Sequence, residues 1–270
     1  NVKCAMESIP SFNSFIEKSI LKNWDSDAFT DYKGATLQFH DVARKIEKLH
    51  IMFENSGVER GDKIALCGRN SSHWAVAFLA TLTYGAVAVP ILHEFTADQI
   101  HNIVNHSQAK LLFVGDVVNT IIDPAKMPDL EGIIYIPDYS LVVSRTDKLT
   151  YARENLNRIF GEKFPKYFRK EHVSYYKEQS PEELALINYT SGTTGFSKGV
   201  MIPYRALWGN LDFASKVLGT TISSGSNTIS ILPMAHMYGM AFEFLFEFVH
   251  GCHVYYLTRV PSPAIVAQAF

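Results

Sequence analysis

The feature that most constrains the fold of this chain is a run of alternating signals between residues 63 and 114. Lys63-Ile64-Ala65-Leu66-Cys67 is a short apolar strand, Gly68-Arg69-Asn70-Ser71 a turn, and Trp74 to Tyr84 an apolar helix that Gly85 ends. Ala86 to Val89 reads as a second strand. Thr96 then caps a helix carrying Ile100, Ile103 and Val104, and Lys110 to Val114 supplies a third strand. Short apolar strands separated by helices are the grammar of an α/β fold, with a largely parallel sheet covered by helices.

The flanks extend this pattern. An amphipathic stretch holds Phe12, Phe15, Ile16 and Ile20, and a stronger helix signal places Val42, Ile46, Leu49 and Phe53 three or four residues apart before Asn55-Ser56-Gly57 ends it. From about Pro137 to Ser180 the periodicity weakens, and the basic run Lys163, Lys166, Arg169 and Lys170 reads as the solvated face of an irregular connection. Ser262-Pro263 has the form of an N-cap followed by proline at the first helical position. Ala264 to Phe270 begins an apolar helix without a stop signal, so the polypeptide is expected to be cut inside an element.

With 270 residues, 47% of them hydrophobic, the chain can bury a core for one large domain or two small ones. A formal net charge of -2 with interspersed signs gives no broad field for holding nucleic acid. Cys4, Cys67 and Cys252 are odd in number and far apart, which argues against a disulfide framework and fits a reducing cytoplasm. The start, Asn1-Val2-Lys3-Cys4, is not a basic region followed by an apolar one, and no window approaches the roughly 18 apolar residues of a membrane span.

The chemistry concentrates in one segment. Pro181-Glu182-Glu183 resembles an acidic helical turn, Leu184 to Ile187 a buried strand, and the strand leads into Asn188-Tyr189-Thr190-Ser191-Gly192-Thr193-Thr194-Gly195-Phe196-Ser197-Lys198-Gly199. Glycines let backbone N–H groups turn toward an anion, hydroxyls donate without bulk, and a lysine adds a point charge. Polyphosphate suits such a loop; a Gly/Ser/Thr hairpin turn with an exposed lysine is the plainer alternative. A Walker A loop is disfavoured, because Ser197 precedes the lysine and Gly199 follows it. Val200-Met201-Ile202 then reads as another strand, stopped by Pro203, with a helix only from Tyr204 onward.

Tyr189-Thr190-Ser191-Gly192-Thr193-Thr194-Gly195, followed by Lys198-Gly199-Val200, resembles the signature of the adenylate-forming superfamily, to which acyl-CoA synthetases, luciferases and peptide-synthetase adenylation domains belong. The family usually has proline where this chain has Ser197. A second segment, Leu232-Pro233-Met234-Ala235-His236-Met237-Tyr238-Gly239-Met240, resembles the part of the family in which a histidine and a nearby aromatic border the acyl and adenylate sites. Gly61 to Ala65 and Gly85 to Pro90 resemble its early strands.

The resemblance implies layered β-sheets flanked by helices, with residues 1–270 forming an incomplete N-terminal part of the family's large domain. The remainder and the small C-terminal domain would lie outside it. It also implies ATP, Mg²⁺ and CoA as reactants, with a fatty or other hydrophobic carboxylic acid as substrate. Carried over residue by residue, Thr190, Ser191, Gly192, Thr193, Thr194 and Lys198 would contact the nucleotide phosphates, with Thr190 also near Mg²⁺. His236, Tyr238 and Gly239 would shape the acyl-side pocket, and no catalytic group is assigned. The stretch alone is expected to be inactive, and a truncated nucleotide- or acyl-binding module is the competing reading.

Other candidates fall to simpler roles. His250-Gly251-Cys252-His253 offers three metal-ligand types, but adjacent strand side chains alternate faces and do not converge. Phe242, Phe244, Phe246 and Phe248 alternate with other residues as in a strand, with a helix as the alternative, and read as core packing. Cys67 reads as a small core residue.

Overall fold

The computed structural model describes residues 11–191, 197–218, 221–232, 234–236, 244–258 and 262–269, apart from the side chains of residues 191, 197 and 269. The chain runs through α1 (Phe12–Lys22), β1 (Asp27–Asp31), β2 (Thr36–Gln38), α2 (Phe39–Ser56), β3 (Lys63–Cys67), α3 (Ser72–Tyr84), β4 (Val87–Ile91) and α4 (Ala97–Ser107). It continues with β5 (Leu111–Val114), α5 (Asp116–Ile121), β6 (Gly132–Tyr135), β7 (Leu141–Ser144), α6 (Asp147–Glu154) and α7 (Leu156–Lys163). The last described elements are β8 (Leu184–Ser191), β9 (Ser197–Pro203), α8 (Tyr204–Leu218), β10 (Asn227–Ser230), α9 (Phe246–Val249), β11 (His253–Tyr256) and α10 (Pro263–Ala269).

Two sheets result. The larger has the order β7-β6-β5-β3-β4-β8-β9 and the smaller β10-β11-β1-β2. In the larger sheet β6, β5, β3, β4 and β8 are parallel, while β7 and β9 close the edges antiparallel. Local signals set the first crossovers. Ser71 accepts a hydrogen bond from the Trp74 amide to cap α3, and Gly85 ends that helix at φ 88°, a conformation that costs glycine least. Thr96 and Gln99 form a reciprocal capping box at the start of α4.

Strand alternation separates two cores. Ile64 and Leu66 of β3 face a cluster shared with α1, α2, α3 and the smaller sheet's Phe29, Val254 and Tyr256. Ala65 and Cys67 face the other side, against Ile100, Ile103 and Val104 of α4 and Val118 of α5. Helices α1, α2 and α3 therefore form a layer between the sheets, and α4 and α5 cover the outer face of the larger one. Burial on all sides explains why α3 reads as an unbroken apolar run from Trp74 to Ala80. Among the described residues, no helix is long and apolar enough to cross a membrane.

One expectation from the sequence fails here and one alternative is decided. Residues 137–180 are not simply irregular: they contain β7, α6 and α7, elements of four to eight residues whose buried apolar set is confined to Leu149, Ala152 and Leu156. Elements that short do not sustain a period. Lys163 is also more than a solvated charge, since it donates to the buried Glu47 carboxylate at 2.6 Å. Of the two forms open to the aromatic run, its described part takes the helical one. Phe244, Leu245, Phe246, Glu247 and Phe248 are all buried, so no side faces water and the two-residue alternation carries no information about the fold. Phe242 and Glu243 lie outside the described residues.

Candidate functional site

The carboxyl ends of the parallel strands in both sheets meet at one turn. Asp31, at the end of β1, accepts hydrogen bonds from the Ser72 amide (2.8 Å) and Ser72 Oγ (2.7 Å) just after β3. Arg69 donates to the Thr258 carbonyl beyond β11 at 3.4 Å. Asn70, buried in the same turn, donates to Leu232 O (2.6 Å) and Ser230 Oγ (3.3 Å) and accepts from the Met234 amide (2.7 Å). A cleft of about 270 Å³ opens here, bordered by Asp31, Arg69, Asn70, His73 and Asp116. In open α/β sheets ligands bind outside the carboxyl ends of the strands, and both segments singled out in the sequence emerge at strand carboxyl ends.

The first segment leaves β8. Strand β8 extends to Ser191 and is answered by β9, with Tyr189 opposite Gly199, Thr190 opposite Lys198 and Ser191 opposite Ser197. The strands that flank the hydroxyl-rich segment are thus paired as an antiparallel ladder. Thr190 and Lys198 are both exposed and share a face of the ladder, because residues directly opposite one another do. Gly192, Thr193 and Thr194 lie outside the described residues. Tyr189 is buried, its ring lies over Gly199, and its hydroxyl meets His106 Nδ1 at 2.7 Å.

The second segment follows β10. The Asn70 side chain brackets it from Leu232 to Met234, with Met234 and Ala235 buried and His236 exposed. Tyr238 and Gly239 lie outside the described residues. The hairpin belongs to the larger sheet and His236 to a connection of the smaller one. Sequence reasoning missed Asn70, which reads as an ordinary turn residue; its amide becomes a clamp only when β10 folds alongside. It missed the His106 to Tyr189 contact for the same reason, since nothing local links positions 83 residues apart.

Among the described residues, no group of three or more His, Cys, Asp and Glu side chains converges to hold a metal ion. His253 instead pairs with Thr30 Oγ1 at 2.7 Å, and Cys252 is buried. Burial pushes the Cys67 thiol well above its usual range, consistent with a packing role.

Comparison with known proteins places these features in a wider context. The family model described as AMP-binding enzyme matches residues 16–270. A 4-chlorobenzoate–CoA ligase from Arthrobacter sp is 26% identical over 217 residues, which cover 78% of this chain and 36% of the relative. A long-chain-fatty-acid–CoA ligase from Escherichia coli O157:H7 is 25% identical over 260 residues, 87% of this chain and 44% of the relative. The chain thus spans less than half the length of these relatives. Among solved structures, a red-emitting luciferase from Phrixothrix hirtus superposes with TM-score 0.81 at 19% identity, over 96% of this chain and 48% of that one. A long-chain-fatty-acid–CoA ligase from Archaeoglobus fulgidus gives 0.76 at 18% identity, over 96% and 49%. These likenesses reach across both sheets.

Proposed function

The chain belongs to the AMP-binding enzyme family, and from that premise we propose that it carries the nucleotide-phosphate hairpin and part of the acyl pocket of an acid–thiol ligase. The observation that carries this reading is the pairing of Thr190 with Lys198 at the base of the hydroxyl-rich tip. A carboxylate oxygen bonds to the α-phosphorus of ATP as the bond to pyrophosphate breaks, giving an acyl-adenylate. The sulfur of CoA then bonds to the acyl carbon, and AMP leaves.

This chemistry asks the protein mainly to position phosphate charge and neutralise it. Lys198 supplies a fixed positive charge toward the β- and γ-phosphates, and Thr190, Ser191, Thr193 and Thr194 supply hydroxyls, with Gly192 leaving the backbone open. Magnesium would enter as part of the nucleotide substrate and supply further positive charge against the phosphates, and Thr190 is the residue that would help hold it. On the acyl side, His236, Tyr238 and Gly239 border the acid, and Asn70 fixes the segment that bears them.

The acid is hydrophobic and, we propose, a fatty acid. Support comes from relatives named for 4-chlorobenzoate and for long-chain fatty acids, both apolar carboxylates joined to CoA. Because the chain spans 36% and 44% of those relatives, the test uses the full-length protein. Isotope exchange between pyrophosphate and ATP, run with medium-chain, long-chain and aromatic acids, is expected to depend on an apolar acid and to be strongest with a fatty one. Exchange with none of the panel overturns the ligase reading; preference for benzoates overturns only the fatty-acid part. The 270 residues by themselves are expected to give no turnover in the same assay.

A further inference from the structure

The hairpin that carries Thr190 and Lys198 continues past the point where β8 is bridged to its neighbour in the sheet. Strand β8 is bridged to β4 at a single position, Leu186 opposite Ala88, and its remaining ladder is with β9, which is the edge strand. Val200 and Met201 of β9 are exposed at this edge. The outer end of this ladder is then placed by the side chain that links it to a neighbouring helix.

Tyr189 is that side chain. It is 4% exposed and is the last buried residue before the exposed Thr190. Its ring crosses the ladder above Gly199, where an added Cβ would lie 2.9 Å from the ring's Cζ, so only glycine admits the ring at this distance. The hydroxyl then reaches His106 Nδ1 at 2.7 Å, and the two rings meet edge to face at 5.7 Å and 87°. His106 sits in the last turn of α4, a helix fixed by its capping box and by Ile100, Ile103 and Val104 in the core. Burial raises the Tyr189 phenol above its usual range, so the hydroxyl keeps its proton for this contact.

We infer that His106 and Tyr189 are a positioning pair: a contact from α4 sets the tilt of the hairpin and so holds Thr190 and Lys198 where they meet the triphosphate of MgATP. The inference rests on the phosphate reading of the hairpin. Neither residue touches the nucleotide; both act through the backbone of residues 189 and 190.

The test uses the full-length protein with Tyr189→Phe, which keeps the ring over Gly199, together with His106→Ala, His106→Asn and the double variant Tyr189→Phe/His106→Ala. Each single loss of the bond is expected to raise KM for MgATP about five- to tenfold, the worth of one such hydrogen bond, while KM for the acid stays within about twofold. The double variant is expected to match the singles, and His106→Asn, whose amide oxygen occupies the Nδ1 position, to recover most of the loss. Amide hydrogen exchange across residues 190–198 without nucleotide is expected to quicken in the same variants. Unchanged KM and unchanged exchange, or multiplicative effects in the double variant, overturn the inference. Wild-type protein with neither pyrophosphate exchange nor protection of these amides by MgATP overturns the phosphate reading instead. The nucleotide-free exchange rates then still decide whether the pair holds the hairpin.

Discussion

Thr190 of β8 stands directly opposite Lys198 of β9, so a hydroxyl and an ammonium rise from the same face of the hairpin at the mouth of its tip. Both are exposed, and neither is needed for the core. Lys198→Ala should therefore separate function from stability. In full-length protein kcat/KM for MgATP is expected to fall about 10²-fold, as when a donor to developing phosphate charge is removed, with unfolding free energy within about 0.5 kcal/mol of wild type. Steady-state kinetics and a urea melt on one preparation check both halves.

Asn70 makes the opposite case. Its amide bridges Leu232 O and the Met234 amide from a buried position, so Asn70→Ala leaves two backbone groups without that partner. The expected cost is about 1–3 kcal/mol in a denaturant melt. Because the released segment leads to His236, KM for the carboxylic acid is expected to rise more than KM for MgATP. Equal changes in both would sever the link between Asn70 and the acyl side.

Burial raises the Glu47 carboxyl above its usual range, and the Lys163 hydrogen bond and charge only partly offset that rise. Lys163→Ala should strand a buried carboxylate and cost about 1–3 kcal/mol near neutral pH, less than a fully buried pair because Lys163 is half exposed. As pH falls toward 4.5 and Glu47 takes up a proton, the deficit should shrink. Adding Glu47→Gln should remove it, and urea midpoints at pH 7 and pH 5 are the measurement.

His50 sits nearby, its Nε2 at 3.0 Å from both Ala80 O and Thr83 Oγ1. Burial lowers its pKa to about 4, the Ala80 bond opposing and the Lys163 charge adding to the fall. The unfolded chain takes up this proton near pH 6.5 and the folded chain only near 4, so stability is lost as pH drops through that window and is constant above it. The loss should reach about 2 kcal/mol, below what the full shift implies, since the ring borders a cleft of about 320 Å³. His50→Gln, which keeps a donor toward Ala80, should flatten this part of the pH profile in urea melts.

Where the sequence was readable, the signal was local. Strand β3, helix α3 with Gly85 behind it, and the Thr96 cap are each specified by neighbours within a few residues, and each lies where its residues predict. The strands that flank the hydroxyl-rich segment were legible too, although their ladder continues to Ser191 and Ser197, beyond the apolar residues that marked them. What could not be read depends on partners far along the chain. The amino end of α1 is one example: Glu178 accepts from Ser11 Oγ at 2.6 Å and from the Phe12 amide, capping a helix 166 residues away. Phe244 to Phe248 is another, because an element buried on every side has no period to betray it.

The pairing of Phe29 with Val254 has a consequence for synthesis. Strand β1 leaves the ribosome early, yet its parallel neighbour β11 is translated some 225 residues later, an interval on the order of 10–45 s at ordinary elongation rates. During that time the larger sheet can assemble through β9, while Phe29 and the unpaired side of β1 wait in the open. A nascent chain stalled short of Tyr256 would carry a finished seven-stranded layer and an orphan hairpin, which is the kind of surface that molecular chaperones capture.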